Sequence, residues 1–73
     1  MTATSFYYIE VSDLANTWIE KFCIEATEAT AVRRAKNEIG WNGLRCNRYD
    51  RGDAIELRPR GQNRKALIQR ETA

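Results

Sequence analysis

The apolar residues of this chain turn from alternating to helical spacing at Thr27 and back to alternation after Gly40, and that pattern restricts the fold to a sheet with a helix laid on it. Ahead of Thr27, Ser5-Phe6-Tyr7-Tyr8-Ile9-Glu10-Val11 alternates, with Tyr7, Ile9 and Val11 on one side and Phe6, Tyr8 and Glu10 on the other. A two-residue period in aromatic and β-branched residues marks a strand. Turn formers run from Ser12 to Asn16. Thr17–Ala26 then reads as a second, antiparallel strand, with Phe22, Ile24 and Ala26 on one face and Lys21, Cys23 and Glu25 on the other. Strict parity sets Glu20 on the apolar side. Two arrangements accommodate it: a bulge near Trp18 and Ile19, or a hairpin tip that runs past the core.

From Thr27 onward the period is helical. Thr27 suits an N-cap and Glu28 the first turn, where negative charge complements the helix dipole. Ala31, Val32, Ala35 and Ile39 form one apolar stripe, opposite Arg33, Arg34 and Asn37, and Gly40 ends the helix. Trp41-Asn42-Gly43 forms a loop, Leu44–Tyr49 a third strand, Asp50-Arg51-Gly52-Asp53 a hairpin turn and Ala54–Arg58 a fourth strand that Pro59 stops. Trp41 and Trp18 are expected to cover opposite ends of the core. The polar, basic residues from Gly61 to Ala73 read as a flexible tail, or as a short helix formed on contact. The expected fold is therefore α+β: a four-stranded antiparallel sheet in ββαββ order with one helix packed on one face. Residues 1–60 make a single domain and residues 61–73 a basic C-terminal tail.

The chemistry of the side chains argues against an enzyme. With 73 residues and no histidine, the chain lacks the commonest general base and metal ligand, and a domain this small buries only about 60% of its unfolded surface. No glycine-rich phosphate loop occurs, since Gly40, Gly43, Gly52 and Gly61 all fall at caps and turns. Asp50 and Asp53 flank a turn that favours aspartate for local hydrogen bonds. Cys23 and Cys46 are too few for a zinc site, and with no export signal ahead of Phe6 they suggest free thiols in a cytoplasmic setting. No cofactor, no metal and no membrane span are expected.

The positive signal is where the charge lies. In residues 1–40, Lys21, Arg33, Arg34 and Lys36 are outnumbered by Glu10, Asp13, Glu20, Glu25, Glu28 and Glu38. In residues 41–73, Arg45, Arg48, Arg51, Arg58, Arg60, Arg64, Lys65 and Arg70 outnumber Asp50, Asp53, Glu56 and Glu71. Arginine offers a planar fork suited to phosphate and carboxylate. If Leu44, Cys46, Ile55 and Leu57 face the helix, then Arg45, Asn47, Tyr49, Glu56 and Arg58 point from the open face, with Lys21, Cys23, Glu25, Tyr8 and Phe6. Arg48 and Arg51 fall near the hairpin tip, and Arg60 continues the charge. The candidate binding residues are Arg45, Asn47, Tyr49, Arg58, Lys21, Arg48, Arg51 and Arg60. Such a face suits phosphates and bases, but Tyr, Trp and Arg are also the anchors of protein interfaces. The bland alternative is that Tyr8 and Tyr49 form a cross-strand pair that only stabilises the sheet.

With its ββαββ order and Arg-rich second hairpin, the stretch from Phe6 to Arg60 resembles small proteins of phages and mobile elements. It is similar in layout to some anti-CRISPR inhibitors of type I surveillance complexes. The resemblance is one of size and element order, and no residue motif transfers. It implies a stoichiometric, non-catalytic inhibitor that docks on a protein or nucleoprotein complex and blocks target-DNA binding. Two other readings stand beside it: a DNA- or RNA-binding regulator, and a protein-only adaptor or subunit, monomeric or dimeric through an unpaired sheet edge.

Overall fold

Two hairpins and a final strand, rather than two hairpins alone, build the sheet. The computed structural model describes residues 3–71; the first two residues of the expected domain and the last two of the expected tail lie outside that range. β1 (Ser5–Asp13), β2 (Ile19–Ala26), a 3-10 turn (Glu28–Thr30), α1 (Ala31–Glu38), β3 (Cys46–Arg51), β4 (Ala54–Pro59) and β5 (Arg64–Arg70) follow in order. They form one five-stranded sheet in the order β2-β1-β5-β4-β3, with every neighbouring pair antiparallel.

The expected four-stranded ββαββ sheet is thus corrected to five strands, and the added one lies in the middle. The segment that reads as a tail supplies β5, which pairs with β1 on one side and β4 on the other. Ala66 and Ile68 lie on its helix side and are completely buried. The turn that makes this possible follows Pro59: Gly61 has φ +75° and Gln62 N–H donates to the Pro59 carbonyl at 3.4 Å. Pro59 is the last residue of β4, and the chain reverses directly after it. β1 and β2 form one hairpin unit, β3 and β4 the other, and β5 joins them.

Directly paired residues share a face, so the registers assign every strand side chain. The helix side carries Tyr7, Ile9 and Val11 from β1, Ile24 and Ala26 from β2, Leu57 from β4, and Ala66 and Ile68 from β5. Ala31 and Ala35 of α1 pack onto this layer, and their small side chains bring the helix close to the sheet. Trp41 is buried over the end of the same layer, as expected, whereas Trp18 is substantially exposed with the Arg64 guanidinium 5.9 Å from its ring. The β1–β2 register runs unbroken from Ser5↔Ala26 to Ser12↔Ile19. No bulge resets it. Glu20 is opposite the buried Val11 on the helix side but is itself exposed, on the outermost strand of the sheet.

The helix is shorter than the sequence pattern implies. Thr27 caps the 3-10 turn instead of the α-helix, and its hydroxyl bonds the Thr30 hydroxyl at 2.7 Å rather than a backbone N–H. At the other end Gly40 adopts φ +75°. Gly40 N–H donates to the Asn37 carbonyl at 3.3 Å and Trp41 N–H to the Lys36 carbonyl at 2.8 Å, the two bonds of a Schellman motif. That motif turns the chain so that Trp41 enters the core. β3 begins at Cys46 and runs to Arg51, two residues later than its alternation suggests at each end, leaving Gly52 and Asp53 as the turn.

Candidate binding face

No described element covers the second face of the sheet, and the registers place a set of polar and aromatic side chains across its β3–β4 half. Asn47 pairs with Arg58, Tyr49 with Glu56 and Arg51 with Ala54, so these side chains stand together on the open side. Arg45, just ahead of β3, accepts the Arg60 N–H at its carbonyl at 2.8 Å, and the Arg60 guanidinium donates to the Asn47 side-chain oxygen at 3.2 Å. Arg45, Asn47, Tyr49 and Arg58, which alternation sets on one face, are thus joined there, in one cluster, by Arg51 from the end of β3 and by Arg60.

Glu56 organises this cluster. Its side chain is nearly buried, and it holds the Arg58 guanidinium by a short charge-assisted hydrogen bond and Arg51 at 3.6 Å. The Arg58 guanidinium carbon also lies 5.5 Å from the centre of the Tyr49 ring, within cation–π reach. One carboxylate thus fixes two arginines, and one tyrosine gives the second of them a platform. Lys65 joins the same face from β5, opposite Ser12. Glu56 leaves Arg45, Arg51, Arg58, Arg60 and Lys65 with a surplus of positive charge.

Two of the eight candidate residues are elsewhere. Arg48 pairs in register with Leu57, which places it on the helix side, where it bonds Asp50 at 3.0 Å. Its expected place in the cluster is corrected by parity: Asn47, Tyr49 and Arg51 share a face, and Arg48 does not. Lys21 is on the open face but on β2, four strands away, paired with Glu10 at 3.6 Å.

The β1–β2 half has a different character. Tyr8 and Phe6 are about half exposed, and Ile19 at the far end likewise. A shallow depression of about 430 Å³ lies among Tyr8, Lys21, Cys23, Leu67 and Gln69. Glu10 borders the depression, and Glu25 and Glu71 are the other acids of this half of the face. The Tyr8 hydroxyl donates to Glu71 at 3.1 Å, and that carboxylate holds the phenol above its ordinary pKa. Leu67 and Gln69 escape any reading in which residues 61–73 are tail. The alternation of Lys65, Leu67 and Gln69 against Ala66 and Ile68 is the signal that reveals them.

Cys23 is exposed on the open face and Cys46 half-buried on the helix side, at opposite edges of the sheet. Among the described residues no group of three or more His, Cys, Asp and Glu side chains could hold a metal ion, and no helix is long and apolar enough to cross a membrane. No family model matches the chain, and neither the curated proteins nor the solved structures contain a significant match.

Proposed function

We propose that this chain is a non-catalytic binding protein that docks its open sheet face on a nucleoprotein complex in the cytoplasm. One observation carries the reading: a single uncovered face is divided between an arginine cluster on β3–β4 and an aromatic, mildly acidic half on β1–β2. The arginine half suits phosphate, since guanidinium forks match its oxygens and displaced counterions favour binding. The other half, with Phe6, Tyr8, Ile19 and the Leu67 depression, suits a protein surface. A partner carrying both chemistries uses the whole face. An inhibitor of the anti-CRISPR kind is one protein that would work this way. The resemblance in layout rests on four strands and the sheet has five, so the reading stands on the face alone.

The test is capture by tagged chain from lysate, with and without nuclease, using one variant for each half of the face. Arg45→Ala/Arg58→Ala removes phosphate contacts, and Leu67→Asp disrupts the apolar half. The expected result is an assembly of protein and nucleic acid that both variants lose. A captured protein that the arginine variant retains in full would make the partner protein-only and overturn the reading. Tight binding of naked duplex or single strands, unaffected by Leu67→Asp, would overturn it in favour of a nucleic-acid-binding regulator.

A further inference from the structure

Among the described residues no strand pairs with the outer edge of β2, the last strand of the sheet, and its sequence is complementary to itself. The direction of its backbone groups follows from two hydrogen bonds. The Phe6 carbonyl accepts the Glu71 N–H at 2.9 Å, on the side of β1 away from β2. Phe6 is opposite Glu25, so this pair is of the non-hydrogen-bonded kind and the Glu25 backbone groups point to the free edge. Arg34 confirms it: its guanidinium reaches from α1 to donate to the Glu25 carbonyl at 3.2 Å. By alternation Lys21 and Cys23 also turn their N–H and C=O groups outward.

We infer that two copies of this chain pair through β2, antiparallel about a two-fold axis at Cys23. In that register Lys21 is opposite Glu25 of the second copy, and Glu25 opposite its Lys21. Each pair exchanges two backbone hydrogen bonds and brings opposite charges together on the open face. On the helix side Phe22 meets Ile24 of the second copy, and the reverse. Other registers that keep the faces aligned lose these matches. Centring on Lys21 or on Glu25 sets a charge opposite itself, and centring on Phe22 or Ile24 leaves no Lys–Glu pair.

A second feature of the same edge obeys the same symmetry. A groove of about 350 Å³ runs between α1 and β2, floored by Phe22 and Ile24, with Arg34 and Glu38 on its helix wall. Arg34 lies over the Glu25 end, where it reaches the carbonyl. Glu38 also borders the depression beside Glu20 and Val11, at the opposite end of the strand. A two-fold at Cys23 brings Arg34 of one copy to Glu38 of the other, twice. In the dimer the Lys21 N–H of the second copy replaces Arg34 on the Glu25 carbonyl and frees the guanidinium for this contact. The β3 edge has no apolar pair like Phe22 and Ile24 to set against a second copy: its residues from Asn47 to Arg51 are all exposed and polar or aromatic.

The axis runs perpendicular to the sheet, so both open faces lie on one side of a ten-stranded sheet. With neighbouring strands about 4.8 Å apart, the two arginine clusters stand roughly 40 Å from each other. The inference does not depend on what the open face binds. Sedimentation over a concentration series, with Lys21→Glu, Glu25→Lys and the double variant, tests it. A dimer is expected for the native chain, at least about tenfold weaker in each single variant and restored in the double. All these positions are exposed, so folding is preserved. In a Cys46→Ser background a short bismaleimide should link Cys23 to Cys23 of the second copy. A monomer at every concentration up to about 1 mM, or a dimer indifferent to the single reversals, overturns the proposal. Single variants that weaken the dimer without rescue by the double overturn it too.

Discussion

Ile9 and Ile68 are directly opposite each other across the β1–β5 ladder, both almost wholly buried. Their pairing joins the N-terminal hairpin to the rest of the sheet, and Ile55 extends it into β4. Ile68→Ala opens a cavity at this junction, and burial of this kind is worth about 2–5 kcal/mol. That is a large share of the stability of a domain this size. Urea denaturation should show Ile68→Ala unfolded or with a greatly lowered midpoint. Leu67→Ala, half-buried on the open face, should shift the midpoint much less.

Gly40 holds the Schellman turn at φ +75°, with nothing within 4 Å of where a Cβ would stand. The cost of a side chain there is one of backbone conformation rather than clash. Gly40→Ala should destabilise by about 1 kcal/mol. Gly40→Asn should cost less, because asparagine tolerates the left-handed region. Thermal or urea melts of the two variants, compared with the native chain, check the order.

Glu56 is the one carboxylate inside the arginine cluster, so its charge sets the field of that half of the face. Glu56→Gln should raise affinity for a short nucleic-acid duplex and steepen its fall with salt. Arg58→Ala should lower both, with a slope smaller by about one for each phosphate no longer neutralised. Fluorescence anisotropy over a salt series gives the two slopes.

The Thr17 hydroxyl and N–H both donate to the Asp13 carboxylate, the N–H at 2.7 Å, and the hydroxyl is the main reason that the Asp13 pKa lies below its ordinary value. A pKa lowered by folding stabilises the native state above the unfolded value, and that contribution is lost as pH falls through the folded value. Thr17→Val should therefore raise the Asp13 midpoint in an NMR titration. Its stability deficit should be full at neutral pH and shrink in acid below the aspartate range.

Cys23 is exposed, whereas Cys46 is half-buried with its thiol 3.9 Å from the Leu44 carbonyl. A thiol reagent should modify Cys23 first and Cys46 in a slower phase. Their places on opposite edges and opposite faces exclude a bridge within one copy. Mass spectrometry after mild oxidation should find no intrachain disulfide.

The two N-terminal strands, the helical stripe and the second hairpin are legible in the sequence because each shows its period over several residues. Tyr7, Ile9 and Val11 alternate plainly, and Ala31 and Ala35 are the helix residues that the core buries. β5 is not legible in the same way. Its apolar part is only Ala66-Leu67-Ile68, framed by Arg64, Lys65, Gln69 and Arg70, and such flanks look like a solvated tail. A strand that is paired on both sides needs little apolar sequence of its own, since neighbours supply the packing. Parity reads Arg45, Asn47, Tyr49 and Arg58 onto one face, whereas Arg51 reads as part of the turn and Arg60 as leading into the tail. Arg48 is the exception, because nearness to the turn suggests membership that its parity denies. The role of Glu56 is not readable, because it depends on Arg51 and Arg58 converging from two strands.

The place of β5 also fixes when this fold can close. During synthesis both hairpins leave the ribosome before the strand that unites them, and each exposes the edge that β5 will occupy. The nascent chain holds β1 and β4 apart as open templates until residue 70 has emerged. Until then the inner edges of β1 and β4 lack the partner that satisfies them, and unpaired edges of this kind are templates for neighbouring chains.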